Sequence, residues 1–150
     1  MKIERMELVG LEVNDLDAAM AEFSALLDTT FIRVDFGSPG LVRFFPADVS
    51  QEGSDASISV AMDRKGYLEL IQTHPPTSRE RVRNIHFKVD DIDAAIAMMR
   101  SRGHRLVQNL QIGTMREAVF GARETRGLRM CLVQYDASSM IDAMLEAPDA

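Results

Sequence analysis

The sequence predicts an α+β fold built from two tandem βαβββ modules. Three observations carry this. The stretch Val13-Asn14-Asp15-Leu16-Asp17-Ala18-Ala19-Met20 is echoed 76 residues later by Val89-Asp90-Asp91-Ile92-Asp93-Ala94-Ala95-Ile96. Each copy follows a run whose apolar residues alternate, Val9, Leu11 and Val13 or Ile85, Phe87 and Val89, which is the period of a half-buried strand. Each then continues into helical spacing and a series of β-rich segments.

In the first module the opening strand ends at Asp15, whose side chain suits a helix N-cap, and Asp17 places negative charge in the first turn. Leu16, Met20, Phe23 and Leu27 mark one helical face, and Thr29-Thr30 closes the helix. Strands are expected at 31–36, 41–45, 57–63 and 67–73, with turns at Gly37-Ser38-Pro39-Gly40 and Lys65-Gly66. The second module repeats the plan. Asp91 and Asp93 open a helix carried by Ile92, Ile96 and Met99 and closed by Gly103, and strands are expected at 105–111, 116–122 and 128–135. The module starts are offset by 76 residues but the final strands by only 62, so the first copy is longer by about 14 residues, most simply the polar loop 48–56. The expected boundaries are 1–74 for the first module, 75–82 for a linker, 83–136 for the second module and 137–150 for a tail. Met140, Ile141, Met144 and Leu145 make a short final helix in that tail.

Composition narrows the function classes. A chain of 150 residues buries ~68–70% of its unfolded surface, enough for a core without staples, and its single cysteine, Cys131, excludes an internal disulfide. A net charge of −6 with no basic stripe argues against nucleic acid; Arg79, Arg81 and Arg83 are interrupted by Glu80 and read as a solvated connector. No apolar run approaches the ~20 residues of a membrane span, and nothing at the start looks like a secretion signal, so a cytoplasmic protein is expected.

The runs Glu7-Leu8-Val9-Gly10-Leu11-Glu12-Val13-Asn14-Asp15-Leu16-Asp17 and Asn84-Ile85-His86-Phe87-Lys88-Val89-Asp90-Asp91-Ile92-Asp93, with the strand Leu68-Glu69-Leu70-Ile71-Gln72, carry a resemblance. The chain, to about Asp136, resembles the vicinal oxygen chelate superfamily of glyoxalases, bleomycin-resistance proteins and extradiol dioxygenases, in the style of its methylmalonyl-CoA epimerases and glyoxalase-like members. The resemblance implies a cup-shaped, curved mixed sheet with the helices outside, and a homodimer. It also implies one divalent metal held by two ligands from each module, on the first and last strands, which stabilises an enolate-like intermediate while a carboxylate moves a proton. The four matching positions are Leu8, Glu69, Asn84 and Cys131. Leu8 has no donor atom and the Asn84 carbonyl is a poor substitute for imidazole, so the metal site is expected to be degenerate or absent. Glu69 and His86 are the donors left for any non-standard site.

Strand alternation puts Met6, Leu8, Gly10 and Glu12, Asn84, His86 and Lys88, Tyr67, Glu69 and Ile71, and Arg129, Cys131 and Val133 on the cup face. Glu69 and His86 are the candidate catalytic pair. A carboxylate flanked by Leu68 and Leu70 is an expensive placement without a role, although a salt bridge to Lys88 or Arg129 would also explain it. Glu12, Tyr67, Asn84, Lys88, Arg129 and Cys131 are candidate ligand contacts. The ordinary reading of Glu12 is an ion pair with Lys88, and that of Cys131 a small packed apolar residue. The charged cup favours a lyase, isomerase or epimerase acting on a small oxygenated molecule. The alternatives are a metal-free sequestering protein of the bleomycin-resistance type, weakened by an aromatic content of only 6%, and a dioxygenase, which needs two histidines and a glutamate around iron.

Overall fold

The computed structural model of the chain describes residues 1–36, 40–49 and 58–148. In chain order the described elements are β1 (Ile3–Glu12), α1 (Leu16–Leu27), β2 (Phe31–Val34), β3 (Val42–Phe44), β4 (Ile58–Asp63), β5 (Leu68–Thr73), β6 (Arg81–Val89), α2 (Ile92–Ser101), β7 (Leu106–Ile112), β8 (Met115–Phe120), β9 (Met130–Gln134) and α3 (Met140–Leu145). The repeat reappears in the hydrogen bonds that start the two long helices. Asp15 accepts from the Ala18 N–H and Asp91 from the Ala94 N–H, each at 3.0 Å. One further N–H of each helix is taken by the last strand beside it. Gln72 accepts from Leu16 and Gln134 from Ile92, both at 2.8 Å.

The nine described strands form one curled sheet in the order β2-β4-β5-β1-β6-β9-β8-β7-β3. The two halves meet at its centre, where β1 runs antiparallel to β6, and each central strand pairs in parallel with the last strand of its own half, β5 or β9. Both long helices cover the convex face. α1 packs through Leu16 and Ala19 on Val13, Ala61 and Leu70; α2 packs through Ile92, Ala95, Ile96 and Met99 on Leu106, Ala118, Phe120 and Leu132. No described helix is long and apolar enough to cross a membrane.

The concave face is filled at one end by the final helix. Met140, Ile141, Ala143 and Met144 of α3 join Leu8, Val60, Met62, Ile71, Leu110, Ile112, Met115 and Val133 in a single buried cluster drawn from both halves. The β7–β8 turn makes room for it. At Gly113 (φ +57) an added Cβ would lie 2.3, 2.6 and 2.8 Å from the carbonyl oxygens of Ala143, Met144 and Glu146.

One expected strand has an unexpected destination. The segment anticipated at 41–45 forms β3, but β3 pairs with β7 of the second half, not within the first module. β2 and β3 are consecutive in the chain yet occupy opposite edges of the sheet. The eight Cα steps from Val34 to Val42 span at most about 27–29 Å, which limits how far apart the two edges can stand. The extra length of the first copy therefore begins before the polar loop that was its simplest location; residues 50–57 of that loop lie outside the described residues. β6 also begins at Arg81, inside the stretch expected to be linker.

Beyond β3, Asp48 fastens the chain to α2 and β7. Its carboxylate takes two hydrogen bonds from Arg100 of α2, at 2.9 and 2.8 Å, and one from the Leu106 N–H at 2.9 Å. These hold the Asp48 pKa below its usual value. A depressed pKa means that Asp48 stabilises the fold above the unfolded carboxylate value, ~3.9, and that this stabilisation fades as pH falls through the lower folded value.

Two outcomes are expected. Gly113→Ala adds left-handed strain to the overlap with three carbonyls, a cost of at least about 2 kcal/mol, so thermal unfolding shifts down by about 4–8 °C. Asp48→Asn costs about 0.5–1 kcal/mol near neutral pH, allowing for solvent screening, and in melts repeated at decreasing pH the gap to the wild type closes below ~pH 3–4.

Candidate active site in the sheet concavity

Beside α3 the concave face encloses a cavity of about 640 Å³. Its apolar wall includes Val34, Val60, Ile71, Leu110 and Ile112, and its polar lining includes Glu69, Asn84, His86, Glu117, Arg83 and Arg129. Strand register sets the layout of the floor. Gly10 is the Cα partner of both Glu69 on β5 and Asn84 on β6, so these side chains meet above a residue that has none. An added Cβ at Gly10 would stand 2.1 Å from Asn84 Oδ1 and 3.1 Å from Glu69 Oε1. The next row runs Leu8, His86, Cys131, Val119 across β1, β6, β9 and β8. Glu117, on the same face of β8 as Val119, brings Oε2 to 3.5 Å from His86 Nε2.

Burial dominates the electrostatics here. It pushes the Glu69 carboxyl above its ordinary range; His86 pulls it back without cancelling the effect, and Glu117 adds to the rise. Burial also pushes the Cys131 thiol up, opposed by His86. For His86, burial alone would lower the pKa, but Cys131 and Glu69 alongside, with a hydrogen bond to Glu117, hold it well above the usual imidazole value. The floor thus raises the proton affinity of the imidazole and of the carboxyl facing it. Two atoms in this lining are buried without a hydrogen-bond partner, His86 Nδ1 and Asn84 Oδ1.

The structure brings Glu69, Asn84, His86, Arg129 and Cys131 to the cavity and leaves Glu12, Tyr67 and Lys88 outside its lining. Alternation places Glu12 and Lys88 on the concave side, in rows with Ile71 and Val133, but both lie beyond the cavity. Glu12 pairs with Arg81 at 3.3 Å and Arg83 at 3.9 Å, not with Lys88. Lys88 pairs with Glu4 at 3.3 Å and lies over the Tyr135 ring. Tyr67 precedes β5 and is exposed, as is Met6. Arg83, expected in a solvated connector, lines the cavity and acts on Glu69. Glu117 was not anticipated. Its signal was the one that singled out Glu69, a carboxylate between hydrophobic neighbours in mid-strand, but β8 is apolar on both faces and alternation does not orient it.

A sequence profile described as the glyoxalase/bleomycin resistance protein/dioxygenase superfamily matches residues 9–120. The chain belongs to that superfamily. No curated protein sequence matches it significantly. Among solved structures, a methylmalonyl-CoA epimerase variant from Streptomyces coelicolor, in complex with 2-nitronate-propionyl-CoA, is similar at a TM-score of 0.64 with 20% identity, over 91% of this chain and 100% of that one. The Mycobacterium tuberculosis methylmalonyl-CoA epimerase gives 0.63 and 17% over 90% of each chain. A hypothetical protein from Bacillus halodurans gives 0.64 and 12%, over 90% of this chain and 96% of that one. At such identities the likeness is one of fold.

The glyoxalase-type metal arrangement implied by the sequence resemblance does not fit the residues here. Leu8 is buried in the apolar cluster with α3, and the Asn84 side chain lies against Glu69 above Gly10. Two of the four positions, Glu69 and Cys131, carry an ionisable donor.

The contact above Gly10 is testable by a double-mutant cycle. Gly10→Ala is expected to destabilise the wild type by about 1–3 kcal/mol through overpacking and to cost at least about 1 kcal/mol less in an Asn84→Ala background. Strict additivity in chemical denaturation would show that the Asn84 amide does not occupy that space.

Proposed function

We propose that this superfamily member is an isomerase- or lyase-type enzyme that moves a proton on the carbon next to a carbonyl of a small anionic, oxygenated substrate. One observation carries the reading: Glu69 is a buried carboxylate of raised proton affinity, on the floor of a cavity, facing a buried imidazole whose proton affinity is raised as well. A base is efficient when its pKa approaches the working pH, and burial moves Glu69 in that direction. Asn84 fixes its orientation through a hydrogen bond, and Gly10 leaves the space for both.

In this reading Glu69 takes the proton and the substrate becomes an enolate. The negative charge develops on the carbonyl oxygen, which lies toward His86. His86, positioned by Glu117, meets that charge with a ring N–H on a side chain that is itself buried. Arg83 and Arg129 hold the anionic end of the substrate, and the aliphatic wall takes its carbon skeleton. Return of the proton to the same carbon from either side gives exchange or epimerisation, and to a neighbouring atom isomerisation. The acyl-CoA ligand of the Streptomyces coelicolor structure makes thioesters one class to include among the candidate substrates. His86 is the histidine in the cavity lining, which does not favour a dioxygenase built on two. Both halves of the cup come from one chain, so the reading does not depend on the homodimer.

The test is exchange of the carbon-bound proton with D2O, followed by proton NMR across 2-oxo acids, hydroxy acids and branched acyl-CoA thioesters. At least one class is expected to exchange faster with wild-type protein than without it. Glu69→Gln should reduce that rate by about 10²–10⁴-fold. A ligand that binds in the cup but never exchanges would support sequestration instead, and exchange unaffected by Glu69→Gln would remove Glu69 as the base.

A further inference from the structure

Three neighbouring strands each deliver one metal-competent side chain to the same point of the floor. His86 comes from β6, Cys131 from β9 and Glu117 from β8, and their ligand atoms all lie within 4.8 Å of one another. Cys131 is the register partner of His86, and its strand lies between the other two. The group is therefore held by the ladder itself and not by loops. His86 and Cys131 are each 1% exposed, and the Glu117 side chain is 13% exposed, so water does not satisfy them as it would a surface cluster.

Packing does not account for this set. The same face of these strands is otherwise lined by Val119, Val133 and Met115, and an aliphatic residue at any of the three positions would continue that lining. Instead the cluster carries an imidazole whose Nδ1 is buried without a partner. Two residues along the same strand, Asn84 Oδ1 is also buried and unpartnered. Both line the cavity. Buried polar atoms are costly to leave unpaired, and two in one lining point to a polar guest there.

We propose that His86, Glu117 and Cys131 form a binding site for a divalent transition-metal ion of the zinc class, with the remaining coordination position open to the cavity. The donors are one nitrogen, one oxygen and one sulfur, a mixture that suits zinc and its neighbours, whereas calcium and magnesium take oxygen shells. Tetrahedral donors at ~2.0–2.3 Å from a metal stand about 3.3–3.8 Å from one another. His86 Nε2 and Glu117 Oε2 are already 3.5 Å apart, and the whole group needs to contract by about 1 Å. Three protein ligands with one open position is the arrangement of a catalytic rather than a structural zinc site.

Of these three residues Cys131 alone occupies a position that the sequence resemblance assigns to a ligand. The site would thus be displaced across the sheet, toward β8 and away from β1, where Leu8 sits directly opposite His86. Glu69 stays outside the set, on β5. The inference does not depend on Glu69 acting as a base, but a metal-bound His86 would give up its ring proton, so metal and proton are alternatives at that nitrogen.

Cobalt(II) is the probe. Cys131 is the only cysteine in the chain, so a thiolate-to-cobalt charge-transfer band in the wild-type protein reports its coordination directly, without any substitution. The chelator-stripped chain is titrated with cobalt(II), then with zinc(II) to displace it. One equivalent of cobalt is expected to produce the band, and zinc to remove it. His86→Ala and Glu117→Gln should each weaken cobalt binding by more than the roughly 10–100-fold typical of losing an outer-shell partner, whereas Glu69→Gln should keep the band while losing proton exchange. Folded wild-type protein that gives no thiolate band at saturating cobalt overturns the proposal, as does a band that persists at full affinity in both His86→Ala and Glu117→Gln.

Discussion

The antiparallel pairing of β1 with β6 is the constraint on which the remaining structure depends. It joins the two repeats into one sheet and sets, residue by residue, which side chains share the concave face. Hydrogen-bonded ladders are rigid, so a site built on their register is held more firmly than one built on loops. The pairing also explains why Gly10 is a glycine. It lies between Glu69 and Asn84 in one cross-strand row, and any side chain there would enter the space those two groups share. The register shift between Met6 and Leu8 leaves Met6 exposed, and at the other end of the strand Glu12 pairs with Arg81 and with Arg83, which lines the cavity.

Two additions to the repeat turn an open curved sheet into a cavity. The final helix fills one end of the concave face and relies on Gly113 for its seat. Strand β3 joins the edge opposite β2, and the chain beyond it is secured at Asp48. Neither belongs to the repeated pattern, yet both decide what volume remains. The two halves also use their equivalent positions differently. The matching last-strand residues are Glu69 and Cys131, one an acid above a glycine, the other a thiol paired with a histidine.

The parts of this arrangement that follow from short-range chemistry were legible in the sequence. Asp15 and Asp91 were read as caps and act as caps, because a cap is a contact across three residues. The alternation in Val9, Leu11 and Val13 located a central strand correctly, and the mid-strand carboxylate at Glu69 pointed to the cavity. What failed depends on long-range partners. Periodicity says that 41–45 extends but not which edge it joins, so β3 appeared to belong to the first module. The register shift between Met6 and Leu8 leaves no mark in composition and leaves Met6 exposed, whereas Glu12 keeps its face but lies past the cavity, beside Arg81 and Arg83. Glu117 was missed because Met115 and Val119 on one face of β8, and Ala118 and Phe120 on the other, are all apolar. Arg83 was assigned to a connector because β6 starts earlier than the linker composition suggests.

The account places the chemistry on the floor of the cup, at His86 and the groups around it. The most direct measurement is the imidazole NMR spectrum of nitrogen-labelled protein during titration with a compound whose proton exchange the protein accelerates. The chain has three histidines, His74, His86 and His104, and only His86 lines the cavity. The account predicts that the ring signals of His86 shift saturably with ligand while those of His74 and His104 stay in place. Saturable binding that leaves His86 unmoved would contradict it.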